Sequence, residues 1–153
     1  VDVELAKYFS KELRNHYTES IKGLTLENRI LPKKFISEIY TLTPLIIKTD
    51  KGYWRDQIAI NEFERLLVEN LIKKYNQYTG EKIDEDFQLY TGLTFMNRKP
   101  VKVEYKGIHL LGDKVNLKIS DDVRAQELAY FLLGTGIGTM NARGYGYCNY
   151  RWL

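Results

Sequence analysis

Glycine is concentrated near the end of the chain, in a segment that could bind phosphate. Five of the 13 residues from position 134 to position 146 are glycine, which is far above the usual share of this residue. Glycine permits left-handed backbone conformations and close approach, so consecutive N–H groups can form a concave anion-binding nest. Asn141 and Arg143 add side-chain donors, and arginine forms charge-assisted hydrogen bonds with phosphate. The glycines of this predicted phosphate-binding loop are Gly134, Gly136, Gly138, Gly144 and Gly146.

A helix end or a cofactor site could also place glycines in this segment. A helix C-cap followed by a flexible turn would account for Gly134 and Gly136 but not for all five. A dinucleotide-binding fingerprint requires the order strand, glycines, helix, whereas these glycines follow a predicted helix. Because the segment starts at the negative end of a helix dipole, other groups must attract the phosphate. We therefore predict no nucleotide cofactor and an anion held by backbone and side-chain donors.

A second candidate for contact with nucleic acid is a basic cluster between positions 98 and 106. Within these nine residues only Glu104 opposes four cations, and a twisted β-ribbon can lie along an RNA groove. Residues 86–153 hold nine Lys and Arg against six Asp and Glu, whereas residues 1–85 hold 14 of each. The net charge of +3 thus arises in the second part of the chain, although a solvated basic face would show the same pattern. The cluster consists of Arg98, Lys99, Lys102 and Lys106.

Residues suited to acid–base or metal chemistry are few. His16 and His109 have no candidate partner nearby in the sequence, so no catalytic residue is assigned. The single cysteine, Cys148, cannot form an internal disulfide and offers no metal-ligand spacing, so no metal site is predicted. No apolar run is long enough for a membrane span, and the first residues do not resemble a signal peptide. The sequence therefore predicts a cytoplasmic protein without a membrane partner.

The first 34 residues hold too few elements to form a domain. Apolar residues at four-residue steps predict an amphipathic helix from Asp2 to Asn15. Residues Thr18 to Ile30 are predicted to form a strand or hairpin, followed by a linker at Pro32. We interpret residues 1–34 as a remnant of a preceding domain and residues 35–153 as a domain of their own.

From position 35 onward the hydrophobic period alternates between that of strands and that of helices. Asn61 is predicted to cap the first helix with Glu64 in a capping box, and Gly80 to end it. Ser120 is predicted to cap the second helix, and Gly134 to end it. The order is the βαββαβ signature of an α+β ferredoxin-like fold, with two helices on one face of an antiparallel sheet. The predicted strands are Phe35–Leu42, Leu89–Met96, Val101–Tyr105, Val115–Ile119 and Tyr145–Trp152, with a helix over Asn61–Tyr78 and a turn at Gly112-Asp113.

The glycine-rich segment resembles a loop known from CRISPR systems. A loop of the form GxGxxNxxGxG between the last helix and the last strand of a ferredoxin-like domain is typical of the repeat-associated mysterious protein (RAMP) superfamily. The long helix with the run from Asn70 to Tyr75 is similar to its counterpart in the repeat-processing endoribonuclease branch of that superfamily. The resemblance extends over the chain, and the loop is its most specific part. The motif residues are Gly136, Gly138, Asn141, Gly144 and Gly146.

The resemblance implies two ferredoxin-like domains in tandem, of which residues 35–153 would form the second, RNA-binding one. Members of this family cleave CRISPR repeat RNA without metal: the 2′-hydroxyl attacks the adjacent phosphate and leaves a 2′,3′-cyclic phosphate. Such a reaction needs a general base, a general acid and a cation. In the family these groups, usually a histidine with tyrosine or lysine, mostly lie in the first domain. The 153 residues alone are therefore expected to be inactive.

The partners implied are repeat RNA or crRNA, subunits of a CRISPR effector complex, and a second copy of the chain. Two alternatives stay open at this point. One is a non-catalytic RAMP subunit that binds guide RNA in an effector complex. The other is a regulatory ferredoxin-like domain that binds a small molecule and dimerises through its sheet. Both RNA-binding hypotheses predict RNA affinity that falls steeply with salt, and the regulatory one does not.

Overall fold

The first part of the chain forms a compact unit by itself. In the computed structural model, which describes residues 3–28, 30–50, 52–83 and 86–153, Val1–Lys33 and Lys34–Leu153 are separate units. Helix α1 spans Val3–Glu12 and none of its residues is buried. It ends before the predicted boundary because Asn15 has a left-handed backbone with φ of 69°. The start predicted at Asp2 lies outside the described residues.

The strand or hairpin predicted over residues 18–30 is largely absent from the described residues. A single bridge joins Tyr17 to Lys22, and the hydroxyl of Thr18 accepts a hydrogen bond from the amide of Ile21. One such bridge closes a tight turn but does not make a sheet. Position 29 lies outside the described residues.

The second unit is a four-stranded antiparallel sheet with two helices on one face, and a separate hairpin. The strand order in the sheet is β2-β5-β1-β6, which is the ferredoxin-like order with the β3–β4 hairpin inserted between the second and third sheet strands. The predicted α+β ferredoxin-like fold is therefore confirmed. The elements are β1 Ile36–Thr41, α2 Ile60–Thr79, β2 Tyr90–Phe95, β3 Val101–Tyr105, β4 Ile108–Gly112, β5 Val115–Ile119, α3 Val123–Thr135 and β6 Cys148–Trp152.

The core lies between the sheet and the two helices. On α2 the buried residues recur at helical spacing, with Phe63, Leu67 and Leu71 fully enclosed. On α3 small and large residues alternate at the sheet, so Ala129 and Leu132 both have no exposed surface. Burying one such leucine contributes about 1.5–3 kcal/mol, so this interface is the main source of stability. No helix in the described ranges is both long and apolar enough to cross a membrane.

The start of the first long helix differs from the prediction. Helix α2 starts at Ile60 with Ala59 as N-cap and without a side-chain cap, so Asn61 lies inside the first turn and does not cap it. A short 3-10 turn at Trp54–Asp56 buries the Trp54 ring against Phe63 and directs the chain into the helix. Tertiary packing rather than capping therefore sets this start. The predicted end is correct, since Gly80 follows the helix in a left-handed conformation.

The second helix is also capped and ended differently from the prediction. Asp122, not Ser120, is its N-cap, because the Asp122 carboxylate accepts hydrogen bonds from the amides of Arg124 and Ala125 in the first turn. The helix continues through Gly134 to Thr135. Gly136 is its C-cap with φ of 76°, a conformation that favours glycine.

The last strand and the predicted turn at Gly112-Asp113 were also placed wrongly. Strand β6 begins at Cys148 and not at Tyr145, because Gly146 has a positive φ that interrupts extended structure. Gly112 is the last residue of β4. Asp113 forms a backbone bridge with Leu45 and does not lie in a free turn.

Candidate nucleic-acid interface

The glycine-rich loop, defined here as residues 134–147, is joined by backbone hydrogen bonds to the chain after β1. The amide of Ile137 donates to the carbonyl of Gly146 at 2.9 Å, which closes the loop on itself. The amide of Gly146 donates to the carbonyl of Pro44 at 2.9 Å, and that of Thr139 to the carbonyl of Ile46 at 2.8 Å. These bonds satisfy backbone groups that are buried and make the loop an ordered part of the domain.

Three of the five glycines are required by contacts inside the protein. A Cβ at Gly146 would lie 1.9 Å from the carbonyl oxygen of Ile137, and one at Gly138 would lie 2.8 Å from that of Ile46. At Gly136 a Cβ would lie 2.7 Å from the Asn141 amide nitrogen. All three glycines are buried and have positive φ. Their missing side chains are thus explained by the fold of the loop, without reference to a ligand.

The remaining two glycines are exposed and differ from each other. Gly144 has φ of 82°, so its backbone conformation favours glycine although a Cβ would meet nothing within 4 Å. Gly134 is helical, has no positive φ, and also has open space at the Cβ position. Nothing within the protein requires glycine at position 134.

Asn141 organises the loop from within. Its side-chain nitrogen donates to the carbonyls of Ile137 at 3.0 Å and Tyr145 at 2.9 Å. Its side-chain oxygen accepts from the ammonium of Lys74 at 2.6 Å. The amide donors of Asn141 are therefore used inside the loop and do not point to a ligand.

Lys74 on helix α2 places a cation beneath the loop. In addition to Asn141, its Nζ donates to the carbonyls of Gly136 at 3.2 Å and Gly138 at 2.8 Å. Burial lowers the pKa of this lysine to about 8, so at neutral pH it is charged. The ammonium lies beside Gly136, where the negative end of the α3 dipole points, and it offsets that dipole. Lys74 was not predicted from the sequence, although its position three residues after buried Leu71 places it at the edge of the core face.

Arg143 connects the loop to the β3–β4 hairpin. Its guanidinium carbon lies 4.1 Å from the ring centroid of Tyr105, the last residue of β3. The Lys106 ammonium lies 5.8 Å from the same ring, and both cations are exposed. Lys106 and Gly107, both with positive φ, form the two-residue turn of the hairpin. The structure thus unites one residue of the predicted loop with one of the predicted basic cluster in a single exposed patch, Arg143-Tyr105-Lys106.

The rest of the basic cluster lies further along the hairpin. Lys102 is exposed on β3, on the same side as Glu104, because side chains alternate along a strand. Arg98 and Lys99 are exposed before β3 begins, at the opposite end of the strand from Lys106. At about 3.3 Å per residue, this separates them from the Arg143-Tyr105-Lys106 patch by roughly 20 Å.

A buried carboxylate anchors the base of the hairpin. The fully buried side chain of Asp113 accepts hydrogen bonds from Tyr53 Oη at 2.6 Å, Trp54 Nε1 at 2.7 Å and Asn97 Nδ2 at 2.8 Å. It also pairs with Arg55 at 2.7 Å, and burial together with the Asp113 hydrogen bond raises the pKa of Tyr53. Because Asn97 and Asp113 flank the hairpin on both sides in sequence, this network fixes how it leaves the sheet. The role of Asp113 was not predicted from the sequence either.

The groups considered for catalysis differ in exposure and in their surroundings. His16 is exposed in the first unit, and His109 is exposed on β4 opposite Glu104. Burial raises the pKa of Cys148 to about 12, so its thiol is neutral and unreactive at neutral pH. Within residues 3–28, 30–50, 52–83 and 86–153, no group of three or more potential ligands could hold a metal ion.

Comparison with known proteins identifies relatives of this domain. Residues 27–150 match the family model of CRISPR associated protein Cas6, C-terminal. A solved structure of a CRISPR associated protein Cas6 is similar with 24% identity and a TM-score of 0.59, over 80% of this chain and 51% of that one. A structure of a Cas6 product complex is similar with 21% identity and a TM-score of 0.50, over 78% and 52% of the two chains. The chain thus spans about half the length of these proteins. A comparison with curated protein sequences gives no match.

Proposed function

Because the chain belongs to the Cas6 C-terminal family, we propose that it is the RNA-binding part of a CRISPR repeat endoribonuclease. It binds the phosphates of repeat RNA on a surface formed by the exposed side of the glycine-rich loop and the tip of the β3–β4 hairpin. In the whole protein, residues 35–153 form the second of two ferredoxin-like domains, and residues 1–34 belong to the first. The product of the cleavage is crRNA.

The contact between Arg143 and Tyr105 is the observation that carries this proposal. This cation–π contact holds the guanidinium over the ring, and the N–H groups of an arginine held in this way can donate to two oxygens of one phosphate. Lys106 beside the same ring adds a second cation for the next phosphate. A loop and a hairpin that are far apart in sequence thereby supply one basic surface of fixed geometry.

The role of the buried loop residues in this function is indirect. Gly136, Gly138, Gly146 and Asn141 shape the loop, and Lys74 neutralises its carbonyl side. One exposed segment of the loop, residues 142–144, then offers Arg143 and adjacent backbone amides to RNA. We propose that Lys102, Lys99 and Arg98 extend this surface along the hairpin, with weaker, salt-screened contacts.

The reaction of the whole enzyme is metal-independent cleavage. The 2′-oxygen loses its proton to a general base and bonds to phosphorus, the 5′-oxygen leaves with a proton from a general acid, and a 2′,3′-cyclic phosphate remains. We place the acid and base outside these 153 residues, because His16 and His109 are exposed, and the one carboxylate opposite His109, Glu104, supplies no general acid and no cation. This chain contributes binding and orientation of the RNA.

The proposal is tested with repeat RNA from the CRISPR array of the source genome. Arg143→Ala is expected to weaken binding by about 1–3 kcal/mol and to reduce the salt dependence by roughly one phosphate contact. The matched control is Arg124→Ala, which removes a partly exposed arginine, paired with Glu127, at the opposite end of α3 from the loop. Fluorescence anisotropy across a salt series measures both quantities. Equal affinities of the two variants would contradict the proposed binding surface.

Cleavage is tested separately. The chain alone, with or without magnesium, is expected to leave repeat RNA uncut. A product ending in a 2′,3′-cyclic phosphate would show that the acid and base lie within these residues, and His16→Ala and His109→Ala would then locate them.

A further inference from the structure

A groove on the glycine-rich loop has features that the shape of the loop does not explain. Its volume is about 330 Å³, within the ~300–1,000 Å³ range of small-ligand sites. Three of its eight lining residues are glycines of the loop, and two are tyrosines. The lining residues are Thr43, Gly134, Thr135, Gly136, Asn141, Gly144, Tyr145 and Tyr147.

We propose that this groove holds one unpaired base of a single-stranded RNA, stacked on Tyr147 and lying over Gly134. The inference rests on the proposed RNA-binding function and adds a site for a base to a surface so far argued only for phosphates. Tyr147 keeps 55% of its surface exposed although it directly precedes a core strand. An exposed aromatic ring beside a groove is the usual platform for an unpaired base.

Gly134 is the observation that points to a ligand. Gly134 lies in the last turn of α3, where glycine lowers helix stability relative to alanine unless a positive φ or a close neighbour demands it. At Gly134 neither applies, since a Cβ would meet no atom within 4 Å. An open position next to Tyr147 is what a flat ligand lying across the end of α3 would need.

The polar groups of the groove indicate recognition by stacking. The hydroxyl of Thr43 donates to the carbonyl of Gly144 at 2.6 Å and accepts from the amide of Tyr147 at 2.9 Å. The hydroxyl of Thr135 donates to the carbonyl of Phe131, and the amide of Asn141 is used within the loop. The donors of Thr43, Thr135 and Asn141 are already used within the protein, which leaves stacking on a tyrosine ring as the main contact with a base. The groove should accept any base and favour purines, which stack more strongly.

The position of Arg143 fits the same arrangement. It lies between the groove residues Asn141 and Gly144 in sequence, and it is exposed. A nucleotide with its base in the groove would therefore carry its phosphate toward the Arg143-Tyr105-Lys106 patch.

The experiment compares short single-stranded oligoadenylate with an abasic oligomer of the same length, using the whole 153-residue chain. Tyr147→Leu is expected to weaken binding of oligoadenylate about 5- to 150-fold, the range for one stacked base, and to leave the abasic oligomer unaffected. Gly134→Ala and Gly134→Leu should weaken binding progressively while the melting temperature stays level or rises. The control is Gly92→Ala, an unstrained glycine on β2 where a Cβ meets only the Lys118 side chain at 3.7 Å.

The outcomes separate the groove from the wider function. Unchanged oligoadenylate affinity in Gly134→Leu and Tyr147→Leu would overturn the proposal that the groove holds a base. Loss of abasic binding in Arg143→Ala alone would still support the phosphate-binding surface. Equal binding of oligoadenylate and the abasic oligomer by the unaltered chain would likewise overturn the groove. No binding of either oligomer would overturn both proposals.

Discussion

Replacing Lys74 with methionine tests whether a buried cation holds the glycine-rich loop together. Methionine keeps the length and most of the packing of the lysine stem but removes the ammonium. Three oxygens then lose their donor: the carbonyls of Gly136 and Gly138 and the side-chain oxygen of Asn141, at 3.2, 2.8 and 2.6 Å from Nζ. The two shorter bonds are the stronger ones, and each unsatisfied buried acceptor costs about 1–3 kcal/mol.

Removal of the charge also removes the free-energy cost of burying the ammonium. The pKa of Lys74 falls from 10.5 to about 8 on burial, which corresponds to about 3 kcal/mol before solvent screening. Because the side chain is only half-buried, screening reduces this to roughly 2 kcal/mol. The free energy lost with two to three hydrogen bonds exceeds the burial cost that is removed with the charge. We therefore expect Lys74→Met to lower the free energy of unfolding by about 2 kcal/mol at pH 7.

Urea unfolding at pH 7 measures this change, and amide hydrogen exchange shows whether protection is lost in residues 134–147. Lys73→Met is the control, because Lys73 is the exposed neighbour on the same helix. Equal stability of the two variants, with loop protection intact, would refute the role of Lys74.

The difference in unfolding free energy between the unaltered chain and Lys74→Met depends on pH with a definite sign. Since the folded chain binds the Lys74 proton less tightly than the unfolded chain, the unfolded state holds more protons between about pH 8 and 10.5. The contribution of Lys74 to stability therefore rises across this window. The difference in unfolding free energy between the unaltered chain and Lys74→Met should grow from pH 7 to pH 10. A flat or shrinking difference would show that the pKa is not lowered.

Two further predictions concern the parts that position the proposed surface. Asp113→Asn leaves the guanidinium of Arg55 without its carboxylate in a buried network. It should lower the free energy of unfolding, measured in urea, by about 3 kcal/mol or more. Glu62→Gln, in an exposed pair, should change the free energy of unfolding far less, and similar values for both variants would contradict the anchoring role. Gly146→Ala combines a positive φ with a 1.9 Å clash and should cost more than about 3 kcal/mol, whereas Gly144→Ala, strained but unobstructed, should cost about 1 kcal/mol. Comparable melting temperatures for these two alanine variants would show that the loop relaxes around position 146.

Local sequence rules determined the type and order of the elements in the second unit. The predicted strands Val101–Tyr105 and Val115–Ile119 agree with the structure at both ends, because alternation of apolar and charged residues is a local signal. The ferredoxin-like fold and the family resemblance are both confirmed. Helix starts were predicted less well: the Trp54 ring packed on Phe63, and not Asn61, determines where α2 begins.

The sequence by itself also marked the glycine-rich loop, because an excess of glycine is visible without any structure. It did not show that Gly136, Gly138 and Gly146 face the interior of the protein while Gly134 faces solvent. That distinction depends on which atoms lie around each Cβ position. Those atoms belong to the segment after β1 and to other residues of the loop itself. The contacts of Lys74 with Asn141, and of Arg143 with Tyr105, likewise join residues far apart in sequence, so only the tertiary structure decided them.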